Sequence, residues 1–104
     1  MNSVLKGVLK EELERNLQKQ RVFNDEIKKY PKGSLVVVKI HGDSYLYRKY
    51  RDGNKVISIY VAPAECDEAK KAYELRDKYL KLRKDIKDLK EEEKTLRKAV
   101  AIYG

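Results

Sequence analysis

Apolar positions along this chain follow two different periods. In the second half, Ala72, Leu75, Tyr79, Leu82, Ile86, Leu89, Glu93, Leu96, Val100 and Tyr103 recur at alternating spacings of three and four, which is a heptad seam. Only Glu93 interrupts its apolar character. The spacing predicts a helix over 64–101, beginning at Pro63 or Ala64. Proline suits a first helical turn because its missing N–H would have no partner there, and Glu65, Asp67 and Glu68 favour the positive end of the helix dipole. Asp67–Lys71, Glu74–Lys78, Asp77–Lys81 and Glu93–Arg97 each set an acid four residues before a base, worth about 0.3–0.5 kcal/mol apiece.

The first thirty residues carry a weaker stripe, Val4 or Leu5, Leu9, Leu13, Leu17, Phe23 and Ile27, predicting a helix over 3–30. Asn16 and Gln20 fall close to it. We read them as flanking the stripe, the alternative being buried polar residues that set register at a cost in stability. Gly7 weakens the opening turns. Tyr30-Pro31-Lys32-Gly33 ends the helix, because proline disfavours α geometry in the residue before it.

Between the helices the period falls to two. Residues 34–41, 44–51 and 55–62 are rich in Val, Ile and Tyr and are separated by Gly42-Asp43 and Asp52-Gly53-Asn54, which predicts three strands joined by tight turns. The fold class that follows is α+β: two long helices forming an antiparallel coiled-coil hairpin, with an intervening three-stranded antiparallel β-meander over 34–62, in a single domain of residues 1–104. A small sheet needs cover on one face, and the helical pair is the expected cover. Alternation places Val36, Val38, Ile40, Leu46, Ile57, Ile59 and Val61 on the covered face, with Arg48 and Tyr50 at its rim. Leu35, Val37, Lys39, His41, Tyr45, Tyr47, Lys49, Arg51, Val56, Ser58 and Tyr60 form the other.

Composition narrows the chemistry. With 40% charged residues only a narrow core is available. No apolar run approaches the ~18–20 residues needed to cross a bilayer, and no signal-peptide core opens the chain, so a cytoplasmic protein without a membrane partner is expected. Cys66 is the single cysteine and His41 the single histidine. They share no local motif, so neither a nucleophile pair nor a metal site is built from them, and Asp52-Gly53-Asn54 reads as a turn and not a phosphate loop. The expectation is a protein that is not an enzyme and holds no cofactor or metal.

The net charge is +8. Residues 31–64 hold six bases (Lys32, Lys39, Arg48, Lys49, Arg51, Lys55) against the strand-end acids Asp43 and Asp52, so half the excess lies in a third of the chain. Cations attract phosphates, and exposed aromatic rings stack on unpaired bases. Lys39, Tyr45, Tyr47, Lys49, Arg51 and Tyr60 are therefore the candidate nucleic-acid-binding residues, the competing reading being tyrosines that simply stabilise the sheet through cross-strand pairs. A second helix of ~40 residues would span about 60 Å against about 40 Å for a first of ~27. The overhang makes Leu89, Leu96, Val100 and Tyr103 candidates for a homodimer interface.

Residues 30–35 (Tyr-Pro-Lys-Gly-Ser-Leu) and 45–56 (Tyr-Leu-Tyr-Arg-Lys-Tyr-Arg-Asp-Gly-Asn-Lys-Val) resemble small uncharacterised proteins of Gram-positive bacteria and their mobile elements, in which such a hairpin lies between charged helices. A fainter likeness is to the three-stranded arm-binding domains of phage and transposon integrases, although a long helix precedes the sheet here. The resemblance implies architecture and setting, not a mechanism. The expected function is a small nucleic-acid-binding protein acting on DNA or RNA through a basic, tyrosine-rich sheet face. The runner-up is a protein-interaction module, such as a phage or mobile-element inhibitor or adaptor that engages a host protein through its coiled coil or sheet.

Overall fold

A computed structural model describes residues 3–103. The elements run α1 (Ser3–Ile27), β1 (Ser34–Ile40), β2 (Asp43–Asp52), β3 (Lys55–Pro63) and α2 (Asp67–Tyr103). The class is α+β, with antiparallel helices and an antiparallel sheet of strand order β1-β2-β3. Two compact units divide it. One is α1 with 81–103 of α2, and the other is Tyr30–Leu80, holding the sheet and the first turns of α2.

In the helical unit the predicted seams are observed. Ile86 is buried, and Leu82, Leu89, Leu96 and Val100 on α2 and Leu5, Leu9, Leu13, Leu17, Phe23 and Ile27 on α1 are half-buried. Asn16 and Gln20 do not flank the stripe. They are 2% and 9% exposed, respectively, and belong to the helix–helix contact. Asn16 Nδ2 donates to the Leu89 carbonyl at 2.9 Å and to Glu92 Oε1 at 3.1 Å. Gln20 Nε2 donates to Asn16 Oδ1 at 2.6 Å and to Glu93 Oε1 at 2.8 Å. Glu93, the odd member of the seam, closes this network and also accepts from Arg97 Nε at 2.6 Å. Hydrogen bonds from Gln20, then from Arg97, hold its carboxyl below the ordinary value, with desolvation opposing.

Two helix ends differ from expectation. α1 stops at Ile27, where Lys29 N–H turns back to the Glu26 carbonyl ahead of Tyr30-Pro31. α2 starts at Asp67 and not at Pro63 or Ala64, because the ladder claims both. Pro63 pairs with Tyr45, and Ala64 N–H donates to the Ser44 carbonyl. Because 67–80 of α2 belongs to the sheet unit, 81–103 is left to pair with the 25-residue α1. The surplus of the longer helix therefore lies at its N-terminal end. The overhang that made Leu89, Leu96 and Val100 a dimer seam is absent, and those three are half-buried, while Tyr103 and Ile102 are exposed.

In the sheet unit, the core is Leu46 on β2, Ala62 on β3 and Ala69 on α2, with Leu35, Val61, Cys66 and Ala72 packed around it. The cover over the sheet within this unit is the start of α2. The β1–β2 turn is His41-Gly42, with φ of 52° and 86°, the positive values that a type I′ hairpin demands. Gly53-Asn54 joins β2 to β3.

The turn corrects the predicted faces. A two-residue loop pairs Ile40 with Asp43, Val38 with Tyr45 and Val36 with Tyr47. Directly paired residues share a face, so Val36, Val38 and Ile40 lie with the tyrosines, and Leu35 and Val37 join Leu46 on the covered side. Sorting residues by hydrophobicity alone put β1 on the wrong parity, and a slip of one residue turns a whole strand over. The β2–β3 assignment stands as far as the register shift at Leu46/Tyr47, where Leu46 takes Ala62 and Tyr47 takes Tyr60, leaving Val61 as an added residue.

Candidate nucleic-acid interface

Alternation along β2 sends Tyr45, Tyr47, Lys49 and Arg51 to the face opposite Leu46, and pairing brings in Tyr60, Ser58 and Val56 from β3. Tyr47 and Tyr60 are direct cross-strand partners with ring centroids 5.5 Å apart at 71°. Tyr45 reaches Tyr60 diagonally at 6.2 Å and 56°. Both are edge-on or tilted geometries that match the quadrupoles of the rings, at about 0.5–1.5 kcal/mol per pair. Val36 and Val38 back Tyr47 and Tyr45 across the other ladder. Tyr45 and Tyr47 are half-buried by these contacts, so Tyr60, 50% exposed, offers the most free ring surface.

Crowding affects the Tyr60 hydroxyl. Loss of water around it, with smaller contributions from Cys66, Tyr45, Tyr47 and Glu68, raises its pKa above the ordinary value. It therefore remains a neutral hydrogen-bond donor at physiological pH.

The cations divide between the faces. Lys49 lies opposite Ser34 and Ser58, and Arg51 opposite Val56, so both stand beside the tyrosines and both are exposed. Lys39 pairs with Ser44 and therefore lies on the other face, away from the set it was grouped with. Arg48 also belongs to that other face, where Nη1 donates to the Lys32 carbonyl at 2.9 Å and the guanidinium lies 5.3 Å from the Tyr50 ring centre. The structure thus gathers Tyr45, Tyr47, Tyr60, Lys49 and Arg51 and separates Lys39.

Pattern reading missed a group on the covered side. Arg76 of α2 donates to the Gly33 carbonyl and lies over the Tyr79 ring at 5.4 Å. Gly33 has φ +102°, and a Cβ there would meet the Lys49 carbonyl, so only glycine permits this approach. Nothing local in the sequence distinguishes Arg76 from the other charges of α2.

Among the described residues, no group of three or more His, Cys, Asp or Glu side chains is placed to hold a metal ion, and no helix is long and apolar enough to cross a membrane. Neither a protein-family model, nor a curated protein, nor a solved structure matches the chain.

Proposed function

We propose that this protein binds single-stranded DNA or RNA on the sheet face that carries Tyr45, Tyr47, Tyr60, Lys49 and Arg51. The observation that carries the reading is the arrangement itself. Three tyrosines in mutual contact share a face with two exposed cations, and the helix in that unit packs on the opposite side. Rings of this kind stack on unpaired bases at about 1–3 kcal/mol per base without choosing among them. Lys49 and Arg51 then fix the phosphate backbone, and the Tyr60 hydroxyl supplies a neutral donor.

With two phosphate contacts and a slope of about −0.7 per contact for single strands, affinity falls about sevenfold between 50 and 200 mM salt. Fluorescence polarisation of labelled single-stranded DNA, duplex DNA and RNA at those two concentrations measures it. A Tyr47→Ala/Lys49→Ala/Arg51→Ala variant is expected to lose binding. Absence of binding at low salt, or a variant that binds like the parent, overturns the reading.

A further inference from the structure

The covered side of the sheet unit contains a recess of about 290 Å³ whose apolar wall is Leu35, Val61, Ala72 and Leu75. Three cations, Arg48, Lys71 and Arg76, stand around it against one carboxylate, Glu68. Glu68 is held below its ordinary value by hydrogen bonding from Cys66, then from its own backbone N–H, with Lys71 adding to the effect, so it is ionised and the excess of positive charge persists at neutral pH.

The two arginines are positioned but not neutralised. Each spends one donor on a backbone carbonyl, Lys32 for Arg48 and Gly33 for Arg76, and each lies over a tyrosine ring. A guanidinium has five N–H donors, and among the described residues the ion pairs present involve neither arginine. The rim is therefore a fixed set of cations next to an apolar hollow. Its volume lies at the floor of the roughly 300–1,000 Å³ typical of small-molecule pockets, which suits one large side chain better than a cofactor.

Strand order selects the kind of occupant. β1 is an edge of the sheet, so among the described residues no strand pairs with its outer backbone groups, and Leu35 within it and Gly33 just before it line the recess. An extended peptide that pairs with such an edge sends alternate side chains to one face. We infer that the recess docks an acidic, extended peptide segment of another protein. One large apolar side chain enters the hollow, and flanking carboxylates meet Arg48, Lys71 and Arg76. A free fatty acid shares the head-and-tail chemistry but has no backbone to add to β1. This inference concerns the face opposite the tyrosines and stands independently of nucleic-acid binding.

The test is an amide-resolved NMR titration of the full chain with three probes: blocked Glu-Glu-Leu-Glu-Glu, blocked Lys-Lys-Leu-Lys-Lys, and decanoate. The acidic peptide is expected to give saturable shifts at Leu35, Ala72, Leu75 and the β1 amides, and the basic peptide none there. Lys71→Glu, an exposed site that leaves the fold intact, weakens the acidic peptide about fivefold, the upper end for one exposed charge contact. Leu75→Glu, also on the surface, abolishes the shifts by filling the mouth with a carboxylate. Equal shifts with both peptides, shifts only with decanoate, shifts confined to the tyrosine face, or no shifts at all would each overturn the proposal.

Discussion

Replacing Asn16 by alanine tests whether the polar network in the helical pair is a stabilising element or a tolerated burden. The side chain is 2% exposed and takes part in three hydrogen bonds, to the Leu89 carbonyl, to Glu92 and from Gln20. Truncation leaves Gln20 Nε2, itself buried, with one of its two acceptors missing, while Glu92 is exposed and regains water. One unsatisfied buried donor costs about 1–3 kcal/mol, so about 2 kcal/mol is the working figure. At a urea slope of about 1.5 kcal/mol/M for a small protein, the midpoint falls by about 1.3 M. Circular dichroism at 222 nm reads it, since α1 and α2 span 25 and 37 residues and dominate the signal. A double variant, Asn16→Leu/Gln20→Leu, removes both amides and with them the orphaned donor, while Glu93 keeps Arg97 and partial access to water, and is expected to recover part of the loss. A midpoint shift under about 0.3 M for Asn16→Ala, or a double variant less stable than the single one, would refute the reasoning.

Other outcomes follow from neighbouring features. The folded-state pKa of Glu93 is depressed below the ordinary 4.5. Its contribution to stability is therefore complete above that value and lost as pH falls through the lower one. Urea midpoints taken from neutral pH into the acid range should show this fall, and Glu93→Gln should flatten it. Gly33→Ala forces a Cβ against the Lys49 carbonyl at positive φ and should cost more than about 1 kcal/mol, where an unstrained glycine replacement would stabilise, read as a drop in melting temperature. His41→Asn, by contrast, relieves a histidine at φ 52° with the residue that type I′ turns prefer, and should raise stability by about 0.5 kcal/mol in the same assay. Leu46→Ala empties a fully buried site and should cost about 3 kcal/mol, seen as lost protection of strand amides in hydrogen exchange.

The heptad seam was readable because its period persists over ten positions of which only Glu93 is charged, and the three strands because glycines mark the turns between them. Helix ends were less readable. Whether Pro63 opens α2 or closes β3 depends on its pairing with Tyr45, which is not a local property. The face of β1 had a usable signal, since any two-residue turn pairs odd positions of one strand with even positions of the next. Apolar character hid it, because Leu35, Val36, Val37 and Val38 are all hydrophobic and suit either side. Of the candidate binding residues, the five that β2 and β3 carry came together, and Lys39 was lost with the parity of β1. Asn16 and Gln20 look like any polar residues beside a seam until a partner helix supplies the Leu89 carbonyl and Glu93.

The added residue at Val61 sets how the two faces of the sheet are matched across β2 and β3. A regular ladder would set Val61 opposite Leu46 and Ala62 opposite Tyr45. The bulge instead sets alanine against Leu46, where Ala69 of α2 approaches with no exposed surface, and leaves Pro63 beside Tyr45. Each remaining strand residue serves a single face, so Tyr45, Tyr47, Lys49, Arg51 and Tyr60 can be exchanged for other chemistries without asking Leu46, Ala62 or Ala69 to change in step. Substitutions on the open side are thus cheap to explore, whereas insertion or deletion of one residue near position 61 would reassign both sides at once. A fold with that asymmetry can vary the chemistry of one face while its framework stays fixed.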